Sequence, residues 1–261
     1  MIHIYNENCM DTMKRSDLQG KVNVVLTSPF YNTNRRIKGK QVKDPSKSNY
    51  SILYDIHTDT MTDEEYNDFT VELFNNFNKI LKPNGVILYN LSYNAENPDG
   101  WVKAVNAIIS RTEFSLVDTI IWKKSNALPN NCSPNELTRI CEFVFVFSRT
   151  SERMTFTANK KVKSVRKTGQ KMYENVLNLV EARNNDGRCP YNLATYSTDL
   201  CKKLLDIYIT DEGGDVLVYD PFSGSGTTAV ACKDLGFNFV GSEISENQVR
   251  WSLNRLGGDQ S

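Results

Sequence analysis

The 261-residue chain is 39% hydrophobic and balances 31 Lys and Arg against 31 Asp and Glu, so it can bury a sizeable core and lacks the overall positive charge of a general nucleic-acid binder. No apolar run approaches the roughly 20 residues that cross a bilayer, and the start Met1-Ile2-His3-Ile4 has no signal-peptide character, so a cytoplasmic protein is expected. Six scattered cysteines without a C-x-x-C pair, beside only two histidines, argue against a zinc-type cluster, and reduced thiols with no metal are expected.

Short apolar, β-rich runs alternate with helical stretches, the pattern of a mostly parallel sheet flanked by helices. In chain order the reading places strands over 2–5 and 22–27, then a helix over 63–81. Thr62 and Glu65 form a capping box at its start, and Lys82-Pro83-Asn84-Gly85 stops it. A strand over 86–90, a helix over 101–110 and strands over 119–122 and 143–147 follow. The last third reads as a helix over 197–208, a strand over 216–219, a helix over 227–235, a strand over 239–242 and a helix over 245–253. That makes seven strands. Phe69, Phe74 and Phe77 have the spacing of a core-facing helix stripe, while Trp122 is open between packing and pocket.

Residues 149–190 interrupt the alternation with polar, basic sequence and read as an insertion. Charge collects in two places: the loop 33–49, with Arg35, Arg36, Lys38, Lys40, Lys43 and Lys47 against Asp44, and the run Lys160, Lys161, Lys163, Arg166, Lys167 and Lys171 without an acid. The expectation is one domain over 1–261 with these two excursions.

Val216 to Tyr219 runs into Asp220-Pro221-Phe222-Ser223-Gly224-Ser225-Gly226-Thr227, a buried strand followed by a glycine turn and a helix. Such a turn lets main chain approach a ligand and aims free N–H groups at it. The spacing lacks the third glycine of a dinucleotide fingerprint and the Gly-Lys-Ser/Thr of a phosphate loop. Glu243 closes the next strand about 20 residues on, where a carboxylate suits ribose hydroxyls, so an adenosine moiety is expected.

A second buried strand ends in Thr27-Ser28-Pro29-Phe30-Tyr31-Asn32. Ser28-Pro29-Phe30-Tyr31 resembles the [DNS]-P-P-[YFW] motif of the amino-methyltransferases, and Asp220 to Gly226 resembles their D-P-F-x-G-S-G cofactor motif. The order, catalytic motif first, is similar to the β group of DNA N6-adenine and N4-cytosine methyltransferases. The resemblance spans nearly the whole chain: Asn6 to Asp11, Lys79 to Gly85, Ile121 to Lys124, Glu142 to Phe145 and Ala194 to Ser197 match weaker family segments. Phe30 departs from the pattern by replacing its second proline, and Asn8 by replacing a usual aspartate.

This resemblance implies an α/β, Rossmann-like class I S-adenosylmethionine-dependent methyltransferase. Its sheet would have seven strands, one of them antiparallel, with a circularly permuted motif order. It implies a cofactor site of Asn8, Cys9, Thr195, Asp220, Phe222, Gly224, Gly226 and Glu243. The transfer site would be Ser28, Pro29 and Tyr31, with the Ser28 side chain and the Pro29 carbonyl accepting the two amine N–H bonds while Tyr31 stacks on a flipped base. Double-stranded DNA is the implied partner, gripped by Phe30, Asn32, Arg35 and Arg36 near the base and by Lys160, Lys161 and Arg166 in a target-recognition insertion. Serine at 28 tips the expectation toward cytosine N4 over adenine N6. A homodimer and a cognate restriction nuclease in a restriction-modification pair stay open. The rival readings are an RNA or protein amide methyltransferase, against which the motif order argues, and a catalytically weak cofactor- or DNA-binding homologue, which Phe30 motivates.

Overall fold

The computed structural model describes residues 1–32, 61–93, 97–127, 129, 134, 137–187, 189–192, 195–210 and 215–257. The basic loop 33–49, with Arg35 and Arg36, lies outside the described residues. The elements are β1 (Ile2–Tyr5), α1 (Cys9–Thr12), β2 (Val22–Thr27), α2 (Asp63–Ile80), β3 (Leu81–Leu91), α3 (Gly100–Arg111), β4 (Phe114–Lys124), β5 (Cys141–Arg149), β6 (Val162–Val165), β7 (Lys171–Tyr173), β8 (Leu179–Ala182), α4 (Thr198–Tyr208), β9 (Leu217–Asp220), α5 (Thr227–Leu235), β10 (Asn238–Ser242) and α6 (Glu246–Arg255).

The sheet runs β1-β10-β9-β2-β3-β5-β4-β8, with β5 antiparallel to both its neighbours and every other pairing parallel. It has eight strands rather than seven. The additional strand, β8, is four residues long, alternates exposed and buried positions, and pairs with β4 through Ile121↔Leu179 to Lys124↔Ala182. A strand that short, interrupted by Glu181, has too little periodicity to stand out in the sequence.

Period-two alternation divides the central strands between two cores. Val24, Leu26, Val86, Leu88, Val144, Val146 and Val218 pack with α4 and α5 through Leu204, Leu205 and Ala229. Val25, Ile87, Tyr89, Phe145, Phe147 and Tyr219 face α2 and α3 through Phe74, Phe77 and Ile108. With both faces covered, the strands read as continuous apolar runs, which made them conspicuous in the sequence. Trp122 falls on the packing side of its ambiguity: it is 2% exposed, and its indole N–H donates to the Ala182 carbonyl at 3.3 Å.

The stretch 149–187 carries the end of β5, the β6–β7 hairpin and β8. Arg149 closes β5 by donating to the carbonyls of Asn78, Leu81 and Lys82, and the Asn159 N–H donates to the Ile207 carbonyl at the end of α4. Both anchors lie at the edge of the sheet where the parallel strands begin. The exposed β6–β7 hairpin, carrying Lys160, Lys161 and Arg166, is rooted there before the chain climbs through β8 to the opposite edge. No described helix is long and apolar enough to cross a membrane.

Phe74 is fully buried with ring centroids of Phe77, Tyr89, Phe114 and Phe147 within 5.1 to 5.6 Å. Phe74→Ala is expected to lower unfolding free energy by about 3–5 kcal/mol, read as an earlier urea midpoint at unchanged slope.

Candidate functional site

β2 and β9 are parallel neighbours, in register at Val24↔Val218 and Val25↔Tyr219, so their carboxyl ends emerge side by side. One delivers Thr27 and Ser28; the other delivers Asp220 and the glycine turn. Between them the Asp220 carboxylate is 1% exposed. Its Oδ1 accepts from the Thr27 hydroxyl at 2.8 Å and the Phe222 N–H at 3.1 Å, and its Oδ2 from the Thr228 hydroxyl at 2.7 Å and the Tyr196 hydroxyl at 3.2 Å. Burial pushes this carboxyl above its ordinary value, and the four hydrogen bonds pull the other way. Asp220, expected in the cofactor site, joins β2, β9, α5 and the approach to α4.

The turn itself is left-handed at Gly224, φ +52°, and at Gly226, φ +76°. Packing within the protein already requires glycine at both positions. A Cβ on Gly226 would lie 2.7 Å from the Ser252 side chain on α6, and one on Gly224 would lie 2.9 Å from the Asn192 side-chain nitrogen. Gly226 thus lets α5 and α6 pack, and Gly224 lies where the turn meets Asn192. Glu243, 9% exposed, accepts from the Gly224 N–H and the Ser245 N–H at 2.9 Å each, so it braces the turn and the start of α6.

Asn8 caps α1, its Oδ1 accepting from the Met10 N–H at 2.9 Å. Cys9 is buried, and desolvation pushes its thiol up to about 12, which keeps it neutral and unreactive near neutrality. β1 lies beside β10, so this segment and Glu243 share one end of the sheet; the Glu243 N–H donates to the Tyr5 carbonyl. A cleft lined by Ser28, Thr195, Phe222 and Gly224 brings the two sequence motifs onto one surface, with Asn192 and Tyr196 on its wall. Asn192, whose amide donates to Gln248 at 3.0 Å, has no sequence signature that would have singled it out.

The segment after β2 departs from expectation in three residues. Tyr31 presents its hydroxyl inward, 3.1 Å from Ser28 Oγ, 2.9 Å from Asn90 Oδ1 and 3.0 Å from Glu142 Oε2. Phe30, expected at the DNA, packs its ring against Tyr66, Phe69 and Phe222 at 5.4 to 6.0 Å, and its carbonyl accepts from the Tyr66 hydroxyl at 2.7 Å. Asn32, also expected at the DNA, is 1% exposed, has φ +44° and donates to the Met61 carbonyl at 2.9 Å. It anchors the turn rather than facing outward. Pro29 is buried and Ser28 half-buried.

Glu142, on β5, also pairs with Lys124 of β4 at 2.6 Å, both side chains mostly buried. The sequence singled out Asn90 for nothing, and Glu142 and Lys124 only as members of weak segments. Lys160, Lys161 and Arg166 are not brought to this edge, because their hairpin springs from the other one.

A family model described as a DNA methylase matches residues 22–254. Among curated proteins the chain is similar to the type II methyltransferase M.Cfr9I of Citrobacter freundii, 30% identical over 146 residues, covering 56% of this chain and 46% of that one. It is also similar to the type II methyltransferase M2.DpnII of Streptococcus pneumoniae, 25% identical over 195 residues, covering 74% and 68% respectively. The chain spans about half the length of the first curated relatives it matches. Two solved structures share its fold. The cytosine-N4-specific PvuII DNA methyltransferase has a TM-score of 0.67 at 17% identity, over 97% of this chain and 86% of that one. M1.HpyAVI has 0.60 at 20% identity, over 98% and 99%.

Because folding raises the Asp220 pKa above 3.8, the proton binds more tightly to the folded state; the neutral form's contribution to stability is complete below 3.8 and is lost as pH rises through the higher folded value. Asp220→Asn cannot ionise. It is expected to cost roughly 1–3 kcal/mol where the wild-type carboxyl is neutral and less at about pH 7, a difference that denaturant titrations at the two pH values would measure.

Proposed function

The chain belongs to the DNA methylase family of the N6/N4 class, and from that premise we propose that it methylates the exocyclic amine of a flipped base in double-stranded DNA, with cytosine N4 favoured over adenine N6. The observation that carries this reading is the juxtaposition, along one cleft, of Ser28 from the end of β2 with Phe222 and Gly224 from the end of β9. The preference for cytosine rests on serine at 28.

The residues fit S-adenosylmethionine. The left-handed turn after β9 lines the cleft, Phe222 supplies a half-buried ring, and the Glu243 carboxylate is held at the turn by two N–H groups. In the proposal Thr195, Phe222, Gly224 and Glu243 hold the cofactor, with Asn8, Cys9 and Gly226 shaping the surround, and Asp220 positions both motifs without touching it. Bound there, the cofactor supplies an electrophilic methyl group on a sulfonium.

The exocyclic amine is a poor nucleophile because its lone pair is delocalised into the ring. Ser28 Oγ and the Pro29 carbonyl overcome this by accepting its two N–H bonds, which favours a tetrahedral nitrogen with the lone pair free for transfer. Extruding a base from a duplex costs a few kcal/mol. Tyr31, its hydroxyl held by Asn90 and Glu142, stacks on the base. The proposal requires neither a second subunit nor a nuclease. For Lys160, Lys161, Lys163 and Arg166 to grip the same duplex, it must run down the β8 edge of the sheet.

Incubation with labelled S-adenosylmethionine and unmethylated DNA or RNA, followed by digestion to nucleosides and mass spectrometry, is expected to yield N4-methylcytosine from DNA alone. N6-methyladenine would reverse the base preference, and label in RNA alone, or none, would overturn the reading. Ser28→Ala is expected to slow single turnover about 10²-fold with cofactor affinity unchanged in equilibrium titration. Replacing the four hairpin cations by alanine is expected to weaken DNA binding and reduce the salt slope by about 0.9 for each phosphate that is no longer neutralised; an unchanged slope would remove the hairpin from the interface.

A further inference from the structure

Methylation of an amine releases a proton, and neither Ser28 nor the Pro29 carbonyl can keep it. The hydrogen bonds behind Ser28 have a direction. Asn90 donates its amide to the Phe143 carbonyl at 3.1 Å, which turns its oxygen toward Tyr31 as an acceptor only. Glu142 Oε2, the other close partner of the Tyr31 hydroxyl, is a carboxylate oxygen and also only accepts when ionised. Tyr31 has one hydrogen and gives it to this acceptor pair. Its own oxygen is then served by the Ser28 hydroxyl at 3.1 Å, so Ser28 donates inward and presents its lone pairs to the cleft. That is the polarity an amine N–H requires.

We propose that Glu142 is a positioning residue for methyl transfer, acting through Tyr31 to make Ser28 Oγ a hydrogen-bond acceptor and serving as the terminus for the departing proton. The inference rests on the transfer reading above. Of the two groups behind Tyr31, the carboxylate is a far better proton acceptor than the amide oxygen. In the step, the amine lone pair forms the N–C bond and the methyl carbon's bond to sulfur breaks, its electron pair staying on sulfur. The nitrogen, with one hydrogen too many, yields a proton to Ser28 Oγ as the Ser28 hydrogen passes to Tyr31 and the Tyr31 hydrogen to Glu142 Oε2. Glu142 then returns the proton to solvent. Lys124 of β4, 2.6 Å away and itself 5.2 Å from the Trp122 ring, is the charged group facing Glu142 among the described residues; Tyr31 faces it from the β2 loop, with Asn90 of β3 on the same hydroxyl.

The test compares wild type, Glu142→Gln, Glu142→Asp, Tyr31→Phe and the Glu142→Gln/Tyr31→Phe double variant. Single-turnover transfer is measured across pH, and DNA and cofactor-analogue binding by fluorescence anisotropy. Glu142→Gln, whose amide can donate to Tyr31 and reverse the chain, is expected to slow transfer about 10²-fold with both affinities within about twofold of wild type, and to change the shape of the pH–rate profile. Glu142→Asp should recover part of the rate, and the double variant should be no slower than the slower single one. A Glu142→Gln rate near wild type, additive losses, or loss of binding in step with rate in both Glu142→Gln and Tyr31→Phe would overturn the role. An inactive wild type would instead overturn the transfer reading, and this role with it.

Discussion

The Asp220 carboxylate, buried where β2 and β9 end, holds the Thr27, Thr228 and Tyr196 hydroxyls and the Phe222 N–H at once. The sequence separates the two motifs it joins by almost two hundred residues. An ionised group in so apolar a place is costly unless every lone pair is used, and the four donors come from four different segments. Burial and satisfaction thus constrain each other: any rearrangement that separates the motifs would leave a buried charge short of partners. The relative placement of Ser28 and the glycine turn depends on this one group.

The cofactor-side geometry is similarly built from contacts within the protein. Ser252 fills the space beside Gly226, Asn192 covers Gly224, and Glu243 accepts from Gly224 and Ser245. The turn is therefore held in its left-handed form by packing, which fixes the direction of the main chain before any ligand arrives. Around it, Phe30, Phe69 and Phe222 form an apolar wall linking the segment after β2 to α2. A proline at 30 would fix one backbone angle, whereas Phe30 holds the segment by its ring and by the hydrogen bond from Tyr66 to its carbonyl.

At the other end of the same edge, the antiparallel strand β5 matters for more than sheet closure. Reversing direction brings the start of β5, and Glu142 with it, to the edge where β2, β3 and β4 finish, beside Asn90 and Lys124. A parallel strand in that place would have presented its far end. The polar cluster behind Tyr31 is a product of topology, and it lies in the interior where hydrogen-bond direction persists because water competes little.

Much of this could be read in the sequence. The central strands stood out because burial on both faces made them continuous apolar runs, α2 because of its capping box, and the two motifs because a strand meets an unusual turn at each. β8 and the β6–β7 hairpin did not, since short, half-exposed strands carry little periodicity. What the residues alone determined was the inventory: the element types, the Ser28-Pro29 and Gly224-Ser225-Gly226 turns, and the acid at 243. Only the tertiary structure decided which groups face one another. It turned Asp220 inward, set Phe30 and Asn32 to packing, sent the basic hairpin to the far edge and placed Glu142 behind Tyr31. Those outcomes depend on strand order and direction, and local sequence pattern carries no information about which distant strand becomes a neighbour.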